Sequence, residues 1–221
     1  RAGAEYMRGR EEDGRDDSSS MLFRMGGFPP LEEVKDEILE KFPVSCLGND
    51  IQMWREPKLA YGNFLMFPTV NQGEWRAEMT RVFGNVIAEP DALTKAEIEG
   101  RRQVKDVLDY IHKYYPKGEN VFLLDTGHTI GCQGTRRIKG EYVFTANDLL
   151  NCTKFDDAIA LASYSIDIHN PMGPGFDMIQ HYHYGQAYAI PYRCLVPVKI
   201  DNMLVAGKCI SCDFISKTAI E

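Results

Sequence analysis

Apolar positions recur along this chain with two different periods, and each period predicts its own kind of element. LFRMGGF at 22 to 28 is a short β-favouring run that stops at Gly26 and Gly27. Pro29 and Pro30 then open a helix, because the N–H that proline lacks has no partner in a first helical turn anyway. Leu31, Val34, Ile38 and Phe42 follow at helical spacing, and Pro43 closes the element. KLAYGNFLMFPTV at 58 to 70 and EWRAEMTRVFG at 74 to 84 favour strand, and Asn71, Gln72 and Gly73 between them predict a hairpin. The clearest helix comes next. Thr94 and Glu97 have capping-box spacing, Val104, Val107, Leu108 and Ile111 form one stripe, and Pro116 ends it. NVFLLD at 120 to 125 reads as a buried strand.

The second half is more broken. GCQGTRRIKGEYVFT at 131 to 145 reads as a glycine-punctuated turn feeding a strand, and Thr145 with Asp148 makes a second capping box. FDDAIALASY at 155 to 164 reads as a short helix, and the Gly-, Pro-, His- and Tyr-rich stretch 165 to 186 as mostly loop. QAYAIPYRCLVPVKIDNMLVAG predicts a strand, interruptions at Pro191 and Pro197, and a final strand to Val205. RGREEDGRDDSSS at 8 to 20 offers a core nothing to hold and reads as a solvated loop. Helices and strands mix without regular βαβ alternation and GxGxxG is absent, so the prediction is an α+β, mixed-sheet domain.

With 44% hydrophobic and 26% charged residues in 221, the chain is long enough to bury a real core. A net charge of -7 argues against partners that reward basic patches, so neither nucleic acid nor an anionic membrane surface is expected. Apolar runs such as VFLLD at 121 to 125 fall far short of a membrane span. Cysteines at 46, 132, 152, 194, 209 and 212 are too sparse for a disulfide scaffold and read mostly as reduced, half-buried thiols. Arg1 stands without a start methionine or signal peptide, which suggests a piece of a longer protein; a cytoplasmic location is the expectation.

The densest chemistry lies near the end, in VKIDNMLVAGKCISC at 198 to 212. An apolar strand that stops at Gly207 before Ser211 has the strand, turn and helix-start order that points backbone N–H groups at an anion. An ordinary strand-to-glycine turn has the same pattern. Cys209 and Cys212 have CxxC spacing, open to reading as a redox dithiol or as one cysteine beside a local substitution. His181 and His183, two apart, would share one face of a strand as metal ligands do, but with no third ligand close in sequence they read first as an aromatic loop.

Four ordered segments resemble the FAD-dependent oxidoreductase family that groups with flavoprotein subunits of the heterodisulfide-reductase type. They are GTRRIKGEYVFT at 134 to 145, DAIALASYSIDIHNP at 157 to 171, YAIPYRCLVP at 188 to 197 and DNMLVAGKCIS at 201 to 211. Upstream, GREEDG, MLFRMGG, WRAEMTRV and AEIEGRRQV keep the family's order. The resemblance implies FAD as cofactor and a chain that starts after an N-terminal dinucleotide fold. Residues 1–20 would be a loop after that fold, 21–186 a substrate domain, and 187–221 a return to the FAD-binding domain, ending in one of its strands. Gly207, Lys208, Cys209, Ile210 and Ser211 would line the flavin or its pyrophosphate through main-chain groups, with Lys208 where the family usually has arginine.

Arg136 and Arg137 match the family's TRR. Neighbours on a strand face opposite ways, so one is assigned to an anionic substrate or cofactor group and the other to a structural carboxylate pair, with surface ion pairs as the alternative for both. Upstream, the family's Gly-x-Arg-Glu is replaced by Gly131, Cys132, Gln133 and Gly134. His169 is a candidate proton carrier or a loop histidine on a backbone carbonyl, and Tyr192 and Arg193 are candidates that also suit packing and ion pairing. The function implied is hydride or electron transfer between a small-molecule substrate and flavin, with an electron-transfer partner. The alternatives are a catalytically inactive binding or structural module of the same fold, and a thiol or metal redox protein using Cys209 and Cys212.

Overall fold

A computed structural model describes residues 3–42, 44–47, 52–84, 90–133, 136–174, 176–180 and 185–220. In chain order the elements are β1 (Tyr6–Arg8), β2 (Phe23–Gly26), α1 (Leu31–Lys41), β3 (Val44–Leu47), β4 (Gln52–Arg55), β5 (Asn63–Pro68), β6 (Trp75–Ala77), α2 (Pro90–Tyr114), β7 (Phe122–Thr126), β8 (Arg136–Ile138), α3 (Ala146–Leu150), β9 (Ala158–Ala162), β10 (Ile166–His169), β11 (Phe176–Gln180), β12 (Tyr188–Pro191) and α4 (Phe214–Ile220). They fall into two compact units. A sheet unit holds 18–132 with 172–175, and a discontinuous unit joins 1–17, 133–171 and 176–221.

In the sheet unit six strands run in the order β3-β4-β5-β6-β2-β7. The register sets Trp54 opposite Phe64, Met66 opposite Ala77 and Met25 opposite Trp75, which puts one apolar row on one face. That row is buried with Val34 and Ile38 of α1 and with Val104, Val107 and Ile111 of α2, which are the helical stripes read from the sequence. At its centre the Trp54 ring is stacked between Phe64 at 3.8 Å and Phe42 at 4.6 Å. The expected hairpin is present as β5 and β6, with Pro68 opposite Trp75 and the turn at 71–73.

The discontinuous unit is built from the ladders β1–β8, β9–β12 and β10–β11 with α3 and α4, around Phe144, Ile166, Tyr188, Cys194, Cys212 and Phe214. Its second capping box forms in full. Asp148 N donates to Thr145 Oγ1 at 3.3 Å, and Thr145 N donates to Asp148 Oδ2 at 2.9 Å.

The α+β class holds, but among the described residues every strand pair is antiparallel, so the sheets are not mixed. The segment 155–164 is not helical. Its Ile159 and Leu161 stand two apart, the strand period, and β9 pairs with β12. Within 165–186, Ile166 and Ile168 alternate inward on a β10–β11 hairpin where loop was expected. β7 lies at the sheet edge with Phe122, Leu123 and Leu124 exposed, not buried. α2 begins at Pro90, so Thr94 caps nothing; its hydroxyl donates to Pro90 O inside the helix. The solvated loop expected at 8–20 holds in part: 9–18 form no helix or strand and 11–15 are exposed, but its two ends depart from it. Tyr6–Arg8 form a strand, and Asp16, Asp17, Ser18 and Ser19 are buried.

Replacing Trp54 by alanine empties the centre of the aromatic stack and should cost about 3–5 kcal/mol, whereas Thr145→Ala should cost about 1 kcal/mol. Urea unfolding of both variants measures this, and equal losses would contradict the central place given to the stack.

Candidate functional site

Three separate lengths of chain meet at the turn 207–212. Gly207 has φ +77° and is exposed, and a Cβ added there would touch nothing, so glycine is needed for its backbone angle and not for space. The run before it is not the predicted strand. Residues 203–206 form no ladder, Val205 N donates to Leu195 O at 2.8 Å, and Leu204 is exposed. Nor does a helix start at Lys208. α4 begins at Phe214, where Asp213 Oδ1 caps it by accepting from Ser216 N at 2.7 Å.

The inner side of the turn is tied down. Ile138 N donates to Cys209 O at 3.0 Å, Ser211 N to Cys194 O at 3.1 Å, and Phe144 N to Ser211 O at 3.0 Å. The buried Ser211 hydroxyl accepts from Gly140 N at 2.9 Å. A Cβ on Gly140 would lie 2.8 Å from Ser211 Cβ and 3.0 Å from Arg193 O, so this glycine exists for close approach. Ile210 N is also engaged, by Gly207 O at 3.0 Å. The outer side is open: the N–H groups of Gly207 and Cys209 have no hydrogen bond among the described residues, and both residues are exposed. Lys208 Nζ lies 3.3 Å from Gln133 Oε1, a neutral partner.

The two arginines of TRR divide as strand alternation requires. Arg136 is exposed, its guanidinium 5.4 Å from the centre of the Tyr6 ring, and no carboxylate among the described residues is in ion-pair range. Arg137 is fully buried. Its Nε donates to Cys212 O at 2.9 Å, Nη2 donates to Gly9 O at 3.0 Å, and Glu11 Oε1 lies 3.5 Å from Nη2. Arg193 holds Asp157 through Nε at 2.9 Å and Nη2 at 3.3 Å, and this pairing keeps the Asp157 carboxyl below its usual range. Tyr192 is exposed beside it, with its N–H on Asp157 O at 2.9 Å. His169 sits at the β10–β11 bulge, with Nε2 3.5 Å from Asp167 Oδ1.

Cys209 is exposed, but Cys212 is fully buried and its thiol is pushed up to about 12 by that burial, the reverse of what a reactive dithiol needs. His181, His183, Gly134 and Thr135 lie outside the described residues. Among the described residues no three His, Cys, Asp or Glu side chains gather as a metal site, and no helix is long and apolar enough to cross a membrane.

The sequence reading missed the charges behind the turn. Lys217 is buried on α4 and pairs with the buried Asp17. Asp16 is buried beside Arg8 at 3.7 Å, and burial raises its pKa. Their one signal was a lysine inside FISKTAI, where helical spacing expects an inward face.

A family model described as FAD dependent oxidoreductase matches residues 1–220. The chain therefore belongs to the FAD-dependent oxidoreductase family, whose common chemistry is flavin-based redox. No curated protein and no solved structure matches it.

Cysteine and tyrosine side chains in both units favour their neutral forms in the fold. Burial pushes Cys194 and Cys212 from 9.0 to about 12, and Tyr115 and Tyr142 from 10.0 to about 12. Each is raised, so its contribution is intact below the unfolded value and is lost as pH climbs through the folded one. Thermal unfolding from about pH 8 to about pH 11 should show a steadily falling midpoint. A flat profile would contradict the burial of these four groups.

Proposed function

We propose that the chain is the substrate-side part of an FAD-dependent oxidoreductase of the heterodisulfide-reductase-like kind, and that its 207–209 turn forms one wall of the flavin site. The observation that carries this is the turn's two-sidedness. Its inner groups are bound by the protein, while the exposed N–H groups of Gly207 and Cys209 are left for a ligand. These donors fit the acceptor edge of a flavin or a phosphate oxygen, and Lys208 adds positive charge beside them. Ile210 and Ser211 shape the turn from within. The 221 residues contain no GxGxxG, so the reading leaves the pyrophosphate cradle to another segment of a longer protein.

Flavin, when bound, supplies the two-electron acceptor. The chain's own residues would do the rest. Arg136, with no carboxylate in ion-pair range among the described residues, would orient an anionic group of a small-molecule substrate. His169 would move the proton that accompanies hydride transfer, with Asp167 holding its ring. Arg193, gripped by Asp157, would place the exposed Tyr192 toward substrate. Electrons would leave to a separate transfer partner.

The absorbance of the natively purified protein between about 300 and 550 nm tests this. Flavin bands are expected, and Gly207→Val, which forces a β-branched residue to φ +77°, should weaken or abolish them. A colourless protein that takes up no added FAD would sink the reading.

A further inference from the structure

The buried charges behind the turn have no part in the chemistry above. All lie within the discontinuous unit, and they link its three separate stretches of chain. From β8, consecutive residues hold both ends of the 209–212 segment: Ile138 N binds Cys209 O at 3.0 Å and Arg137 Nε binds Cys212 O at 2.9 Å. The same guanidinium reaches back through Nη2 to Gly9 O at 3.0 Å. Glu11, one residue beyond Arg10 in that N-terminal stretch, accepts from Phe214 N at 3.3 Å and lies 3.5 Å from Arg137. Further along, Asp17 pairs with Lys217, and both cations flank the Phe214 ring, Arg137 at 5.7 Å and Lys217 at 4.8 Å.

We propose that Arg137 is a positioning residue. Held by the 9–17 stretch through Gly9 O and Glu11, it fixes the 207–212 segment from the inside. Residues 9–17 are thereby a strap that belongs to the candidate site. The proposal rests on the flavin reading only in so far as that segment meets the cofactor; the strap itself does not.

A buried guanidinium suits this task because its donors diverge in one plane, so one side chain holds carbonyls on two chain segments. Lysine in its place keeps the charge and loses the fork. The bond to Cys212 O or the bond to Gly9 O must then lapse, and the segment comes loose at one end.

Cys212 and Cys194 report the difference. Both are fully buried in the same core, but only Cys212 has its carbonyl on Arg137. Each cysteine's alkylation rate is followed by mass spectrometry in the native protein and in Arg137→Lys. The expected result is that Cys212 reacts at least about tenfold faster while Cys194 is unchanged, as local opening requires. If both rates rise together, Arg137 merely stabilises the unit as a whole, and if neither rises it positions nothing; either result overturns the proposal. Should Arg137→Lys fail to fold, Glu11→Gln, at an exposed side chain, is read in the same way, with a smaller Cys212-selective increase expected.

Repeating the labelling with added FAD separates the two readings. Protection of the exposed Cys209 in the native protein, diminished in the variant, supports both. Selective exposure of Cys212 with no effect of FAD on Cys209 upholds the strap and removes the flavin from the turn.

Discussion

A guanidinium removed from water needs acceptors for its N–H groups, and in this protein Nε and Nη2 of Arg137 find them on different stretches of chain, while Nη1 has none among the described residues. The discontinuous unit has no large sheet to organise it. Its ladders are two strands wide, and such ribbons are marginal alone. What closes them into one body is a core of modest size together with the buried Arg137 and the buried Asp17–Lys217 pair. Breaking one partner of such a pair leaves an unmatched charge in a dry interior, so its members stand or fall together.

That constraint explains the two-sided character of the turn. Ser211, Gly140 and Arg137 bind its inner face, with no room for a side chain at Gly140, and the outer face is left with exposed main-chain donors. The chain that carries this turn belongs to the FAD-dependent oxidoreductase family. The sheet unit, by contrast, draws on apolar packing. Its aromatic stack and two amphipathic helices are what an antiparallel sheet with one covered face requires.

Elements carrying a strong local signal were legible in the sequence. α1, most of α2, the β5–β6 hairpin and the Thr145 capping box each rest on residues close together in the chain. The failures share a cause. β9 looked helical because alanine favours helix, yet its backbone is committed to β12, nearly thirty residues later. The 203–206 run looked like a strand because its side chains suit one, but a strand also needs a neighbour. Asp17 looked solvated because its buried partner is distant in sequence; Lys217 arrives two hundred residues on. At the site, alternation on β8 divided the TRR arginines, but only the fold could say which one faced inward.

The division of the chain also sets an order of events during synthesis. Nearly all of the sheet unit lies between residues 18 and 132, so it emerges from the ribosome as a continuous stretch and can complete its core while translation continues. The discontinuous unit has to wait. Its stretch 1–17 cannot be buried until α4 has been made, because Asp17 pairs with Lys217 two hundred residues further on, and such distant pairings are slow to find. Throughout that interval the acidic stretch is exposed. Charged side chains suit such a wait, because an unpaired carboxylate is at home in water until its buried cation arrives.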